Sequence, residues 1–478
     1  MAVSSAISMV DSHDREEPWR KAREEQEEEG GGKWRERGDE TFLLKETKPV
    51  IQTEAGEMRI TKWHRGWGSL MTDSKPMQIG FITMKPKSLL IPLYLDSTLI
   101  LFIRQGEARI GLIYKDDFVE RNVKGGDVYR IPAGSTFYIE NSGEGQKLQI
   151  ISSIERSDQT IFGLGTFQSY FIGGGLNPTS VLAGFDRATL ATAFNVSISE
   201  LDEIMTRQTK GPIVYITDDI HHDHEHKHDK ELQPELSWSR FLKLENKDRL
   251  KAMTRFMNSV GGGDNNEEEG SKEPRWFEKL SRTMFGIEND KSMTGKTQAP
   301  DSYNLYTRKP DFKNDYGWSL ALDAHDYHPL THSDIGVFLV NLTAGSMMAP
   351  HINPMATECG IVLSGSGAVE IVYPNGTQAM KANVGEGDVF CVPRYFPFCQ
   401  IASTTGPFEF FGFTTSAHKN RPQFLVGAGS ILRTMSGPQL AAGFGLTEER
   451  FREISEAQLQ STIFPSAAAA PADKVNKM

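Results

Sequence analysis

Gly126-Asp-Val-Tyr-Arg-Ile-Pro132-Ala-Gly134 returns about 260 positions later as Gly387-Asp-Val-Phe-Cys-Val-Pro393-Arg-Tyr395. Each copy reads as an apolar strand entered through a glycine turn and left through a proline turn, the punctuation of a small antiparallel barrel. A second echo trails each copy. Leu190-Ala-Thr-Ala-Phe194-Asn-Val196 through Ile204 matches Leu440-Ala-Ala-Gly-Phe444-Gly-Leu446 through Ile454 at a fixed offset. The duplicated unit is therefore a β-barrel with a helical extension. By length alone, 478 residues suggest roughly three domains of ~150 residues; the repeat divides them into two large ones.

The patterning around the repeats agrees. Residues 42–172 alternate apolar and polar positions in short runs broken by Gly and Pro, among them Met58–Ile60, Ile79–Thr83, Leu99–Ile103 and Tyr129–Ile131. From Asn177 the period lengthens, and Ser197 followed by Glu200, Asp202 and Glu203 predicts a capped helix with acid in its first turns. Beta patterning resumes over 303–413, with a second helical set at about 424–460. Segment 1–40 is rich in charge and glycine and reads as disordered, 218–299 reads as a charged His-, Gly- and Glu-rich linker that is exposed and easily cut, and 463–478 reads as a frayed tail. The ordered units expected are 41–217 and 300–462.

Composition narrows the function classes. A net charge of −11 with no clustered Lys and Arg argues against a nucleic-acid partner. No run of eighteen apolar residues is present, so no membrane-spanning helix is expected. Three cysteines, Cys359, Cys391 and Cys399, cannot pair completely and form no CxxC, so neither a disulfide scaffold nor a zinc ribbon is indicated. Three acceptor triplets for N-glycosylation begin at Asn195, Asn341 and Asn375 and point weakly to a secretory route. Met1–Val10 is too short, and too poor in basic residues, to read as a signal peptide.

The second half contains Gly345-SMMAP-His351-Ile-Asn353-PMAT-Glu358-CGIVLS-Gly365, which resembles the first cupin motif, G-x5-H-x-H-x4-E-x6-G, with Asn353 in place of one histidine. The repeated Gly-Asp stretches resemble the second motif, G-x5-P-x-G-x2-H-x3-N, but the histidine position holds Phe137 in the first half and Phe398 in the second. Two such barrels with helical arms and a charged connector resemble the vicilin branch of plant seed storage globulins. Tyr303-Asn-Leu-Tyr306-Thr-Arg-Lys-Pro310 is similar to the stretch that opens the second barrel in that branch. The resemblance implies a mainly β, two-cupin (jelly-roll) fold, a nutrient-reservoir role without catalysis, and a homotrimer joined through the helical arms. It also implies travel through the secretory pathway to a protein-storage vacuole.

Enzymatic cupins hold a divalent metal with three imidazoles and a carboxylate, and leave open coordination positions for substrate. The first barrel offers Leu93, Leu95, a leucine or isoleucine at Leu99–Ile100, and Phe137 at those places. Alkyl and phenyl groups cannot ligate a cation, so this barrel is silent. The second barrel keeps His351 and Glu358, and Cys399 lies beside the vacated position. Two readings stay open there. Either His351 and Glu358 hydrogen-bond each other inside a packed barrel, or His351, Glu358 and Cys399 hold copper or zinc, or a small anion, with weak redox activity at most. No cofactor is required on either reading. A separate tract, His221, His222, His224, His226 and His228, has the composition of an adventitious metal chelator.

Overall fold

The computed structural model describes residues 41–62, 77–114, 117–155, 167–216, 301–418 and 420–466. The first barrel is two antiparallel sheets packed face to face. One has the strand order Thr47–Gln52, Gly56–Thr61, Met77–Met84, Leu148–Glu155, Leu99–Gln105, Asp127–Ile131. The other runs Ser169–Phe171, Ser88–Leu95, Phe137–Asn141, Glu107–Tyr114, Asp117–Lys124, with Ile213–Tyr215 added to Ser88–Leu95. The second barrel is built around the 15-residue strand Glu358–Val372. Its first part pairs with Val389–Val392 and Phe408–Thr414, and its second part with Gln378–Gly385 and Phe398–Ala402, so one bent strand serves both sides of the barrel.

The repeated Gly-Asp pair makes the same turn in both halves. Gly126 and Gly387 sit at φ +91° and +89°, a region in which a side chain is strained. The aspartate that follows closes each turn: Asp127 accepts from the Lys124 amide and Asp388 from the Gly385 amide, both at 2.9 Å. The exit turn is repeated too. Gly134 has φ +76°, and Tyr395 adopts φ +71° at the matching place despite its side chain.

Each barrel is followed by short helices. The first arm has α1, Arg187–Phe194, capped by Asp186, and α2, Ile198–Thr206. Ser197 and Glu200 form a reciprocal capping box on α2, as the serine-plus-acid pattern predicts. The second arm has α3, Ile431–Thr434, α4, Pro438–Gly443, and α5, Glu448–Ser455, the last capped by Thr447.

The two halves are laced into one another. Phe42, Leu43 and Leu44 leave their own barrel and pack on the second: Leu43 bridges Phe390, the Leu44 amide donates to the Val389 carbonyl at 2.8 Å, and Phe42 contacts Tyr373 and Phe396. In return Tyr303–Asn304 adds a seventh strand beside Asp127–Ile131, and the Leu305 amide donates to the Gly126 carbonyl at 2.9 Å. Between them Phe102 and Phe411 stack with ring centroids 4.0 Å apart, and Arg104 donates to the Leu363 carbonyl and pairs with Glu386. One apolar core therefore runs from the second barrel into the first, including Met77, Ile79, Ile100, Phe102 and Val128.

The units 41–217 and 300–462 each lend a short segment to the other's sheet. Two expectations are corrected here. The tail is not frayed from 463: Ile463–Pro465 pairs with Ser346–Met348 inside the second barrel. Cys359 and Cys391, both fully buried, face one another across adjacent strands and are joined as a disulfide. Only the strand register brings that pair together, and the spacing of the cysteines in the chain does not reveal it. Residues 1–40 and 218–299 lie outside the described residues.

Candidate functional site

His351 belongs to the two-residue strand His351–Ile352, and its backbone is paired with Phe398 and Phe424. Its ring is buried between those two phenyl groups, with centroids 4.0 Å from Phe398 and 5.3 Å from Phe424. Nδ1 lies 2.7 Å from the Ala349 carbonyl, which assigns the proton to Nδ1. Burial holds the imidazole down at about 4, against a smaller opposing pull from that carbonyl. The residue is neutral at physiological pH.

Asn353 is the hub of the site. Its Nδ2 donates to Glu358 Oε1 at 2.6 Å and to Asn420 Oδ1 at 2.7 Å. Its Oδ1 accepts from the Met355 and Ala356 amides at 3.0 and 2.9 Å. Two donors and two acceptor positions are all engaged, so the amide has no lone pair left for a cation. Glu358 is buried, and burial raises its carboxyl to about 7, with the Asn353 bond pulling it back part of the way.

The His351–Glu358 hydrogen bond of the first reading does not form among the described contacts: His351 uses Ala349, and Glu358 uses Asn353. Nor does Cys399 join them. It is the neighbour of Phe398 on Phe398–Ala402, and successive side chains on a strand face opposite ways. Its register partner is Glu370, whose own partner is Lys381, and the thiol is pushed up to about 12 by burial and by Glu370. The sulfur therefore sits on the Glu370–Lys381 face, opposite the phenyl ring of Phe398, and is a thiol rather than a thiolate.

The first barrel is filled as the sequence reading expects. Leu93, Leu95, Leu99 and Phe137 are buried in its apolar interior, with Leu93 in register with Phe137. Ile100 turns the other way, into the core shared between the barrels. The histidine tract His221, His222, His224, His226 and His228 lies outside the described residues. Asn195 ends α1, Asn341 lies within the strand Gly336–Leu342, and Asn375 is at a hairpin tip.

Sequence reasoning missed Asn420 and the cluster Asp323, His325 and Asp326. Among the described residues that cluster is the one set of three whose ligand atoms lie within 4.8 Å of one another. Asp323 caps the amides of His325 and Asp326 at 2.8 and 3.1 Å, and Asp326 pairs with Arg308, so a turn accounts for it.

The cupin family profile matches twice, at residues 76–202 and 303–452. A vicilin-like seed storage protein of Arabidopsis thaliana is 50% identical over 435 residues, covering 90% of this chain and 81% of that protein. The chain belongs to the vicilin-like cupins. The crystal structure of hazelnut (Corylus avellana) vicilin superposes with TM-score 0.67 at 22% identity, over 89% of this chain and 99% of that one. Vicilin of Solanum melongena gives 0.67 at 20% identity over 90% of this chain and 98% of that one, and is described as holding different anionic ligands in structurally similar pockets. At those identities the likeness shows the shared fold. Catalytic cupin chemistry asks for more donors than this vicilin-like chain keeps. Its second barrel retains one imidazole and one near-neutral carboxyl, with a saturated amide and a phenyl ring where further ligands would stand. These residues do not fit the metal that enzymatic cupins hold.

Proposed function

We propose that this vicilin-like cupin is a nutrient reservoir of the seed, catalytically inert, carried through the secretory pathway to a protein-storage vacuole. The observation that carries the reading is the replacement of ligand positions by buried hydrocarbon: Leu93, Leu95, Leu99 and Phe137 in one barrel and Phe398 in the other. The names of its relatives supply the context of storage. Quantifying the chain in developing and germinating seed tests the role. Steep accumulation during filling and loss during seedling growth are expected; an unchanging level through both stages would exclude a reserve.

The arms support a homotrimer. They leave Phe185, Ile198 and Ile204 of the first set and Phe444, Ile454 and Leu459 of the second between 46% and 78% exposed, more apolar surface than a solitary helical extension needs. Packing of arm against arm on successive copies would cover these side chains. Light scattering should give three times the chain mass of 53.3 kDa, and Phe444→Glu with Ile454→Glu should give monomer with an unchanged circular dichroism spectrum. Protein from the same preparation, washed with chelator and then dialysed against copper and zinc, should bind less than one ion per chain in the second barrel. A monomeric wild type defeats the assembly, and a stoichiometric ion lost in His351→Ala defeats the inert barrel.

A further inference from the structure

Three N-x-S/T triplets are present, and the fold treats them differently. In Asn341-Leu-Thr343 the asparagine sits in a strand paired on both sides, with Trp318 and Glu409 as register partners, and its amide bonds the half-buried Glu409 carboxyl. The Thr343 hydroxyl is spent on the Tyr316 carbonyl at 3.1 Å. A sugar on that nitrogen would have to break the sheet contact that holds it.

In Asn195-Val-Ser197 the asparagine is exposed in the left-handed conformation, φ +52°. The Ser197 hydroxyl, however, donates to the Glu200 carboxylate at 2.7 Å and accepts from the Glu200 amide at 3.3 Å, so it is locked in the capping box of α2. Asn195 also lines the open groove between α1 and α2 with Val196 and Ile198, on the arm surface that the trimer reading covers.

Asn375-Gly-Thr377 is the exception. It forms the tip of the hairpin joining Glu358–Val372 to Gln378–Gly385, and residues 374–378 are all exposed. The turn is closed by the Tyr373 amide on the Thr377 carbonyl at 2.8 Å and the Gly376 amide on the Tyr373 carbonyl at 2.9 Å. Within it the Thr377 hydroxyl donates to Asn375 Oδ1 at 2.7 Å, and the Thr377 amide donates to the same oxygen at 3.0 Å. Among the described residues nothing accepts from Asn375 Nδ2, and a methyl group built on Gly376 would meet no atom within 4 Å. In this triplet alone the hydroxyl meets its own asparagine, and the tip around Gly376 has room beside it.

We propose that Asn375 is the N-glycan acceptor of this chain and that Asn195 and Asn341 are not. The proposal rests on the secretory reading above for its occurrence in the seed. The sugar comes from an oligosaccharide carried on a polyprenyl pyrophosphate. The Nδ2–C1 bond forms, the C1–O bond to pyrophosphate breaks, the lipid pyrophosphate leaves with the electron pair, and one amide proton passes to a base. Because the acceptor turn closes within five residues, it can form before either barrel is complete.

The full chain, expressed in yeast behind a cleavable secretion leader, tests the assignment. Peptide mass spectrometry after amidase release in heavy-oxygen water should find the label at position 375 alone. Asn375→Gln and Thr377→Ala should each abolish the single glycosidase-sensitive mobility shift; Thr377→Ser, Asn195→Gln and Asn341→Gln should keep it. A glycan at Asn195 or Asn341, or a bare Asn375 in both the retained and the secreted pools, overturns the proposal. Since the leader imposes the route, this result is independent of where the chain travels in seed; immunogold labelling of storage vacuoles decides that separately.

Discussion

Phe42→Ala should destabilise the second barrel, not the one whose sequence it opens. The ring is fully buried against Tyr373 and Phe396, and truncating such a side chain costs about 3–5 kcal/mol through lost burial and the cavity left behind. The mirror experiment is Leu305→Ala, about 2–5 kcal/mol, whose damage should fall on the first barrel at Asp127–Ile131. Native-state hydrogen exchange separates the two. Phe42→Ala should speed exchange of Val389–Val392, which receive the Leu43 and Leu44 backbone, and Leu305→Ala should speed exchange at Asp127–Ile131. If each variant loosened only the barrel encoded by its own half, the exchange of strands would not contribute to stability.

Glu358→Gln should make the protein acid-sensitive in a range where the wild type is level. The Glu358 carboxyl rises from 4.5 to about 7 on folding, so its contribution is full below pH 4.5 and is lost as the pH climbs to about 7. His351 moves the other way, from 6.5 to about 4; its contribution is full above pH 6.5 and is lost as the pH falls towards 4. Each displacement is worth ~3 kcal/mol, and between pH 4.5 and 6.5 the two slopes oppose one another. With glutamine at 358 the amide oxygen can still accept from Asn353, but only the histidine slope remains, and stability should drop by about 2–3 kcal/mol from pH 6.5 to 4.5. His351→Leu should show the reverse, losing about as much between pH 4.5 and 7. Denaturant midpoints measured every half unit check this, and parallel curves for all three proteins would refute it.

Much of the fold was legible because the duplicated Gly-Asp turn and its proline exit are local devices. The conformation of Gly126 and Gly387 depends on residues within three positions, so period and punctuation expose it. The emptied first barrel was legible for a chemical reason, since no arrangement of Leu93, Leu95 and Phe137 makes a ligand. What stayed hidden depends on register and on contacts distant in the chain. Cys359 meets Cys391 only through strand pairing, and Asn420 reaches Asn353 from a loop 67 residues away. Adjacency to Phe398 in the chain points Cys399 to the cavity, and alternation along the strand turns that nearness into opposition. The exchange of Phe42–Leu44 for Tyr303–Leu305 gives no periodic signal, because each segment is too short to show one.

That exchange bears on how the molecule comes apart. Scission between residues 216 and 301 would sever the covalent tether, yet each fragment would still be stitched into its neighbour's fabric by three residues and by the Phe102–Phe411 stack. Trimming inward from the amino end is a different event. Once it passes Leu44, the far barrel loses the Leu43–Phe390 bridge, the Leu44 amide and the Phe42 ring, contacts it cannot supply for itself and that a cut between 216 and 301 would leave in place.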